Sequence, residues 1–305
     1  MPKHQLIIAT RESPLALKQA MWVKERLEIL HQDLEVHLLG LTTEADQMLN
    51  LSLMTVGGKG LFVKELEQAL LDKRADIAVH SMKDVPMSFP KGLCLPVICE
   101  REDPRDVLVS SNYKSIQNLP QKATIGTSSL RRQSQLLALR PDLKTVSLRG
   151  NVNTRLKQLE EGRFDAIILA AAGLKRLKLL KNWTYISPEQ MLPAAGQGAL
   201  GIECREADTK TRQLIDALTE EQSFICVSAE RAVCKSLGAG CQVPVGAFAE
   251  ILNDQIKLRA IVGSLDGKQI LRAEKIGSIS EAESLGTAVA EDLLSQGAGE
   301  LLKLS

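Results

Sequence analysis

Short apolar runs alternate with amphipathic stretches along the first two thirds of the chain. Runs of three to six apolar residues predict strands, and apolar positions at helical spacing predict helices. The predicted strands cover residues 6–9, 36–41, 77–79, 123–126, 145–148 and 166–169, and the predicted helices cover 14–30 and 61–71 and begin at Ser129 and Asn151. This alternation is typical of α/β proteins with a largely parallel sheet.

The pattern changes after about residue 220. A helix that includes residues 229–237 precedes three strands, at 243–251, 256–262 and 269–276, and a last helix covers 282–294. Short turns join these strands, which predicts an antiparallel meander. The fold class expected is therefore α/β, followed by a C-terminal α+β domain with a three-stranded antiparallel sheet.

Composition narrows the class of protein. The chain has 305 residues, of which 44% are hydrophobic and 25% charged, as in a soluble protein with two or three domains. We expect no membrane span, because no apolar run reaches about 18 residues. The six cysteines contain no C-x-x-C pair, and no signal-peptide pattern precedes the first strand. These features predict reduced thiols, no metal site and a cytoplasmic location.

Basic residues are concentrated in one segment. Residues 122–181 contain 13 basic and 4 acidic side chains, a charge of +9, whereas the rest of the chain carries −8. This asymmetry predicts an anionic partner that meets one part of the molecule. Aromatic residues make up only 3% of the chain, which argues against nucleic acid as that partner because few rings are present for base stacking.

Polar clusters follow five of the predicted strands or turns. They lie at residues 10–13, 81–84, 127–132, 149–151 and 171–176, and each combines small or hydroxyl residues with Arg or Lys. Ligands of α/β sheets bind at such strand ends, and arginine binds carboxylates through charge-assisted hydrogen bonds. The clusters thus predict a site for a multiply anionic ligand, although helix caps and solvated surface arginines are the alternative. No phosphate-loop spacing is present.

Two further residues are candidates for chemistry. Asp84 directly follows Lys83 at the end of an apolar strand, where a carboxylate can stabilise a cation or exchange protons with a leaving amine. Its alternative role is a helix cap. Cys241 lies in a glycine-rich turn, which would allow access to an attached group, and the alternative is a buried, inert thiol.

Motifs along nearly the whole chain, in order, resemble one known family. They are ATRESPLA at 9–16, GGKGLFVKELE at 57–67, HSMKDVP at 80–86, REDPRD at 101–106, GTSSLRRQ at 126–133, LRGNV at 148–152, AAAGLKRL at 170–177, LPAAGQGALG at 192–201 and GCQVPVG at 240–246. Together they resemble the porphobilinogen deaminase (hydroxymethylbilane synthase) family. The departures are Asn153 and Ala239, at positions where glycine is expected, and neither removes a reactive group.

The resemblance implies a fold and an activity. It implies two periplasmic-binding-protein-like lobes around a cleft, formed by residues 1–99 with 199–219 and by residues 100–198, and a third domain at 220–305. It also implies a dipyrromethane cofactor joined to Cys241 by a thioether. On this primer four porphobilinogen molecules are deaminated and polymerised head to tail, and hydroxymethylbilane is released. The resemblance further suggests a monomer.

The resemblance also implies roles for single residues, each on the motif position that matches. Asp84 would be the acid/base group and would stabilise the cation left when ammonia departs, assisted by Arg149 and Arg155. The implied cofactor-binding residues are Cys241, Lys83, Asp84, Thr127, Ser129, Arg131, Arg132, Gly150 and Arg155, and the implied substrate-binding residues are Arg11, Ser13, Lys59, Phe62, Arg149 and Arg176. The arginines would bind the acetate and propionate groups of the pyrroles.

A glycine-ended loop at residues 45–60 is expected to act as a lid over the site. Three other functions fit parts of the pattern. A solute-binding protein would bind carboxylates reversibly and leave Cys241 bare, and a nucleic-acid binder would show affinity that falls steeply with salt. In the third, the basic segment is a solvated surface and Cys241 a core residue.

Overall fold

The computed structural model describes residues 4–43, 63–179, 183–240 and 243–303. In chain order the strands are β1 His4–Arg11, β2 Leu34–Leu41, β3 Ile77–Ser81, β4 Leu93–Ile98, β5 Asp106–Val109, β6 Thr124–Gly126, β7 Lys144–Val146, β8 Ala166–Ala170, β9 Trp183–Ile186, β10 Leu200–Arg205, β11 Val245–Leu252, β12 Gln255–Gly263 and β13 Ile270–Ser278.

The helices pack on these strands. They are α1 Pro14–Leu30, α2 Lys64–Leu71, α3 Leu130–Leu139, α4 Val152–Glu160, α5 Ala171–Arg176, α6 Thr209–Asp216, α7 Glu221–Ser236, α8 Ala282–Ser295 and α9 Ala298–Lys303, with 3₁₀ helices at Met82–Asp84 and Ile279–Glu281. None of the helices in the described part of the chain is long and apolar enough to cross a membrane.

The first compact unit comprises Met1–Glu102 and Ala199–Phe224. Its sheet has the strand order β2-β1-β3-β10-β4, in which β1 runs parallel to β2 and β3, and β10 runs antiparallel to β3 and β4. The α1 helix buries Val23 and Leu27 against this sheet. Burial of each such side chain contributes about 1.5–3 kcal/mol to stability.

The second compact unit comprises Asp103–Gly198 and Ile225–Ser305. Its five-stranded sheet has the order β7-β6-β8-β5-β9, with β6 parallel to β7 and β8, and β5 antiparallel to β8 and β9. A separate antiparallel sheet, β11-β12-β13, packs against α8, and Glu230 of α7 accepts a hydrogen bond from the Ala249 amide of β11. The predicted fold class, two α/β lobes and a C-terminal three-stranded antiparallel sheet with helices, is confirmed.

The prediction of largely parallel sheets holds for four of the five strands in each five-stranded sheet, which run in the same direction. In each sheet one inserted strand, β10 or β5, runs antiparallel to both of its neighbours. A parallel neighbour needs a crossover connection, usually through a helix. The alternation of strands and helices in the sequence predicts these crossovers. It does not predict β5 and β10, which run in the opposite direction to their neighbours.

Pairing with β10 also extends β3. The sequence predicts that this strand ends at residue 79, whereas His80 and Ser81 pair with Gly201 and Leu200 and remain in the strand. The 3₁₀ helix Met82–Asp84 follows at once. The longer strand places Lys83 and Asp84 just beyond the C-terminal end of β3.

The predicted three-domain boundaries remain a prediction. Residues 199–224 belong to the same compact unit as the N-terminal 102 residues, and the C-terminal residues from Ile225 onward form one unit with Asp103–Gly198. Within that second unit the two sheets are separate, since no strand of β11-β12-β13 is hydrogen-bonded to β5–β9 among the described residues.

Candidate active site

In the first unit, two predicted site residues lie where β1 meets α1. Arg11 is the last residue of β1, and Ser13 is the N-cap of α1. The Ser13 hydroxyl accepts a hydrogen bond from the Ala16 amide at 3.3 Å, and Pro14 occupies the first helical position. Ser13 is thus a helix cap in this structure, and its hydroxyl still has a hydrogen to donate.

The end of β3 carries the other predicted pair of this unit. Met82 is 1% exposed and anchors the 3₁₀ helix, whereas Lys83 and Asp84 are only partly buried. Among the described residues, the Asp84 carboxylate makes no hydrogen bond or ion pair. Ser81, just before the helix, is held by a 2.9 Å hydrogen bond from Gln19 Nε2. Asp84 is therefore a partly exposed carboxylate on a rigidly anchored turn.

The same unit contains a group of three titratable side chains that the sequence did not single out. His80 Nε2 is 2.9 Å from Glu203 Oε2, and both side chains are buried. Burial first, and then the charge of Glu203, raise the pKa of Glu67 to about 7, although His80 acts in the opposite direction. His80 was visible in the HSMKDVP motif, but nothing in the sequence pointed to its pairing with a residue 123 positions away.

In the second unit, side-chain hydroxyl groups hold the β6–α3 junction in place through hydrogen bonds to the backbone. Thr127 is buried, and its Oγ1 accepts a hydrogen bond from the amide of Ser129, the N-cap of α3. Ser128 Oγ accepts from the Leu148 amide at 3.0 Å and donates to the Leu148 carbonyl. These bonds tie the junction to the loop after β7, which carries Arg149.

Arg131 and Arg132, on the first turn of α3, are buried rather than solvent-facing. Arg131 Nη1 lies 2.7 Å from Asp106 Oδ2, and Arg132 Nη2 lies 2.7 Å from Asp106 Oδ1. Arg131 Nη1 also donates to the Leu192 carbonyl, and Arg132 Nη1 donates to the Ile168 carbonyl. Asp106 is the only carboxylate within the described residues that either guanidinium contacts, so the three side chains carry a net positive charge.

The loop between β7 and α4 is shaped by Gly150. Its φ of 101° is unfavourable for other residues, and an added Cβ would lie 2.8 Å from Thr154 Cγ2. The Gly150 carbonyl accepts a 2.7 Å hydrogen bond from Arg155 Nε, and Asn151 caps α4. Arg149 and Arg155 are both partly exposed around this loop.

Arg176, at the end of α5, donates from Nη2 to the carbonyl of Gly198 at 2.7 Å. Gly198 has φ = 94°, which directs the chain into Ala199 and β10. Arg176 is partly exposed. It therefore holds the LPAAGQGALG segment in place at Gly198, a role that the sequence did not predict for it.

Adjacent parallel strands bring the predicted residues to common sheet edges. In the first unit β1 and β3 are neighbours, so Arg11 and Ser13 lie at the same edge as Lys83 and Asp84. In the second unit the neighbours β7, β6 and β8 place three clusters at one edge. Those clusters contain Arg149, Gly150 and Arg155, then Thr127, Ser129, Arg131 and Arg132, and then Arg176.

Several predicted residues lie outside the described part of the chain. They are Lys59 and Phe62, the lid loop at residues 45–60, and Cys241. The described neighbours Gly238 and Gly240 have open surroundings, because a Cβ added at either would meet no atom of the described residues within 4 Å. The described residues contain no group of three or more His, Cys, Asp or Glu placed to hold a metal ion.

Family models match the chain along most of its length. Residues 6–213 match the porphobilinogen deaminase, dipyromethane cofactor binding domain, and residues 224–295 match the porphobilinogen deaminase, C-terminal domain. The chain belongs to the porphobilinogen deaminase family. It is thus a hydroxymethylbilane synthase, a transferase that polymerises porphobilinogen on a dipyrromethane cofactor in tetrapyrrole biosynthesis.

Solved structures with a similar fold are more distant. The periplasmic aliphatic sulphonate binding protein from Escherichia coli is 13% identical, with a TM-score of 0.43 over 76% of this chain and 70% of that one. The TRAP periplasmic solute binding protein from Pseudomonas putida F1, with bound D-glucuronate, is 9% identical, with a TM-score of 0.42 over 72% of this chain and 78% of that one.

The residues of the second unit fit the cofactor of the porphobilinogen deaminase family. A dipyrromethane carries acetate and propionate groups, and a buried site with two guanidinium groups and one carboxylate has one positive charge in excess. A ligand carboxylate would balance that charge, since buried charges are stable only when paired. Arg149 and Arg155 are partly exposed and lie at the same sheet edge. Guanidinium groups are of the kind that binds carboxylates.

Proposed function

We propose that Asp84 is the acid/base group of the polymerisation and that it stabilises the positive charge left on the substrate when ammonia departs. The observation that carries this proposal is its position on the 3₁₀ helix Met82–Asp84, as a partly exposed carboxylate without a hydrogen-bonding partner among the described residues. Such a carboxylate can accept a pyrrole N–H or transfer a proton, because none of its described neighbours occupies its oxygens.

The basic residues of both units bind the carboxylates of substrate and cofactor in this proposal. Arg11, Arg149 and Arg176 hold the substrate acetate and propionate groups, and Lys83, Arg131, Arg132 and Arg155 hold those of the cofactor. Arg149 and Arg155 also assist the chemistry. Ser13, Thr127, Ser129 and Gly150 contribute hydroxyl or backbone groups. Lys59 and Phe62 complete the proposed substrate site from outside the described residues, on or beside the proposed lid.

Cys241 is the proposed point of attachment. Bound there through a thioether, the dipyrromethane supplies the pyrrole position to which porphobilinogen units are added. The protein's own residues then have three tasks, which are to bind carboxylates, to orient pyrrole N–H groups and to hold a proton at Asp84. Charge-assisted hydrogen bonds from arginine suit the first task, since each contributes about 1.5–3 kcal/mol.

The replacement Asp84→Asn tests the role of Asp84. Asn keeps the size of the side chain but carries no negative charge and cannot accept a proton, so we expect turnover to fall by at least about 100-fold. The measurement is the rate of hydroxymethylbilane formation by the full chain loaded with cofactor. Asp72→Asn, at the exposed C-cap of α2, is the matched control and is expected to retain activity. Near-normal turnover of Asp84→Asn would refute the assignment.

We further propose that the protein is a cytoplasmic monomer that binds neither nucleic acid nor membrane. The support is the family resemblance and the low aromatic content. Sedimentation of the purified chain at micromolar concentration tests the monomeric state, and fractionation of the producing cells tests the location. A dimer mass would contradict the first statement, and recovery outside the cytoplasm would contradict the second.

A further inference from the structure

Asp106 lies at the start of β5 and is 0% exposed. Its carboxylate receives hydrogen bonds from Arg131 Nη1 at 2.7 Å, from Arg132 Nε at 3.0 Å and Nη2 at 2.7 Å, and from Gln197 Nε2 at 3.0 Å. Both oxygens are used, one by each arginine. The carboxylate thus fixes the orientation of both guanidinium groups relative to each other.

The Asp106 carboxylate stays negatively charged in the folded protein. Burial alone would raise the pKa of Asp106, but the adjacent Arg131 and Arg132 hold it well below its usual range. Asp106 is therefore ionised at neutral pH. It neutralises one of two buried cations, and the excess positive charge is available to a ligand carboxylate.

The LPAAGQGALG segment is attached to the same cluster. The Leu192 carbonyl accepts from Arg131 Nη1, and Gln197 Nε2 donates both to Asp106 Oδ1 and to the Pro104 carbonyl at 2.6 Å. Gln135 accepts from the Leu192 amide at 2.7 Å. Because these groups are buried, apart from the partly buried Pro104, the arginines cannot turn without breaking several hydrogen bonds.

We propose that Asp106 is a positioning residue for cofactor loading: it holds Arg131 and Arg132 in the orientation in which they receive a carboxylate of the dipyrromethane. This inference rests on the proposed role of the two arginines as cofactor-binding residues. In this proposal Asp106 touches neither the cofactor nor the substrate and acts through Arg131 and Arg132. Fixing a binding group in advance favours association, because less side-chain freedom is lost when the ligand arrives.

Loading of the full chain tests the proposal. Apo forms of the native chain and of Asp106→Asn are incubated with preformed hydroxymethylbilane, whose terminal hydroxyl group leaves as water when the thiol is alkylated. Intact mass follows the fraction of chains that gain the four linked pyrrole units of this molecule. We expect Asp106→Asn to load at least about tenfold more slowly, because its arginines lose their only described carboxylate partner. All measurements are made well below the melting temperature of each variant, so that a purely structural ion pair would leave the loading rate unchanged.

Two further variants separate the possible outcomes. Asp142→Asn removes the partner of Arg140 in a partly exposed pair of the same unit, and it is expected to load normally. Arg131→Gln is expected to load as poorly as Asp106→Asn. Normal loading of Arg131→Gln would refute the cofactor-binding role of Arg131, and the inference would fall with it. Slow loading of Arg131→Gln together with normal loading of Asp106→Asn would overturn the inference alone.

If circular dichroism shows that Asp106→Asn does not fold, Gln197→Ala tests the proposal in its place. Gln197→Ala removes one hydrogen bond to Asp106 Oδ1 and leaves both ion pairs in place. We expect this variant to load roughly two- to fivefold more slowly than the native chain. A native rate for Gln197→Ala would then overturn the proposal.

Discussion

Glu67, on α2, shares a partly buried region of the first unit with His80 and Glu203. Its carboxyl group is removed from water and lies near another carboxylate, and both effects favour the neutral form. These effects raise the pKa of Glu67 to about 7, from an ordinary value near 4.5. The folded protein therefore holds a proton on Glu67 at pH values where the unfolded chain has released it.

This difference makes stability depend on pH. Because the folded state binds the proton more tightly, the free energy of unfolding falls as the pH rises from about 4.5 to about 7. Glu67→Gln removes the ionisable group, so we expect it to be more stable than the native chain at pH 8 and not at pH 4. The expected gain is roughly 1 kcal/mol after allowance for solvent screening, since the side chain is only half-buried.

Urea unfolding of both proteins at the two pH values measures this gain. Glu291→Gln, at an exposed position of α8, is the matched control and is expected to show no pH-dependent difference. An equal effect of Glu67→Gln at pH 4 and pH 8 would contradict the assigned cause, because packing changes do not depend on this titration.

Single residues also show where sequence reasoning stops. The apolar strand before Lys83 and Asp84 was enough to place both at a strand end, and the structure places them there. The same reasoning treated Arg131 and Arg132 as ligand-facing cations, but it could not find their buried partner Asp106. Ion pairing between residues 25 positions apart depends on tertiary packing, and no local pattern encodes it.

Among the elements, those with a clear period were the easiest to predict. The helix α1, the strand β1 and the meander β11–β13 lie within a few residues of their predicted bounds. Strands β4, β5, β9 and β10 were missed. Of these, β5 and β9 have only four residues each, and β5 follows a charged run. A strand this short carries too few alternating positions to show a period, and its place is decided by its neighbours in the sheet.

The packing of α7 against α8 yields a prediction for an element. A Cβ added at Gly286 of α8 would meet the Ala229 carbonyl oxygen and would lie 2.6 Å from the Ala232 Cβ, both on α7. Neither atom is at the end of a flexible side chain, so the helices themselves must separate. We expect Gly286→Ala to lower the free energy of unfolding by about 1–3 kcal/mol, as measured by urea denaturation.

Gly299 provides the matched comparison. It also lies in a helix, α9, but an added Cβ would meet only Leu294, at 3.8 Å. With space available, the higher helix propensity of alanine dominates, and Gly299→Ala should raise the free energy of unfolding by up to about 1 kcal/mol. If the two variants changed stability in the same direction, close approach of α7 and α8 would not be the reason for glycine at position 286.

At the scale of the whole molecule, the distribution of charge follows the distribution of strand ends. Residues 122–181 carry a charge of +9, and this segment includes β6, β7 and β8 with the clusters that follow them. The sequence alone predicted this localisation, because charge can be counted without knowing contacts. Helices, turns and sheet order then determine which of the basic groups are exposed and which, like Arg131 and Arg132, are buried beside a carboxylate of the chain.

The intact mass of the purified chain tests whether the dipyrromethane is attached to Cys241. If Cys241 carries the primer, the native protein has a mass excess equal to two linked pyrrole units, and Cys241→Ser has none. Cys94→Ser, which replaces a half-buried thiol of β4, is expected to keep the excess. Adding porphobilinogen to the native protein should then produce successive increments of one pyrrole unit, because the chain grows on the attached group. An unchanged mass excess in Cys241→Ser would move the attachment point to another residue, and the basic strand ends of the second unit would have to be assigned to a ligand anchored elsewhere.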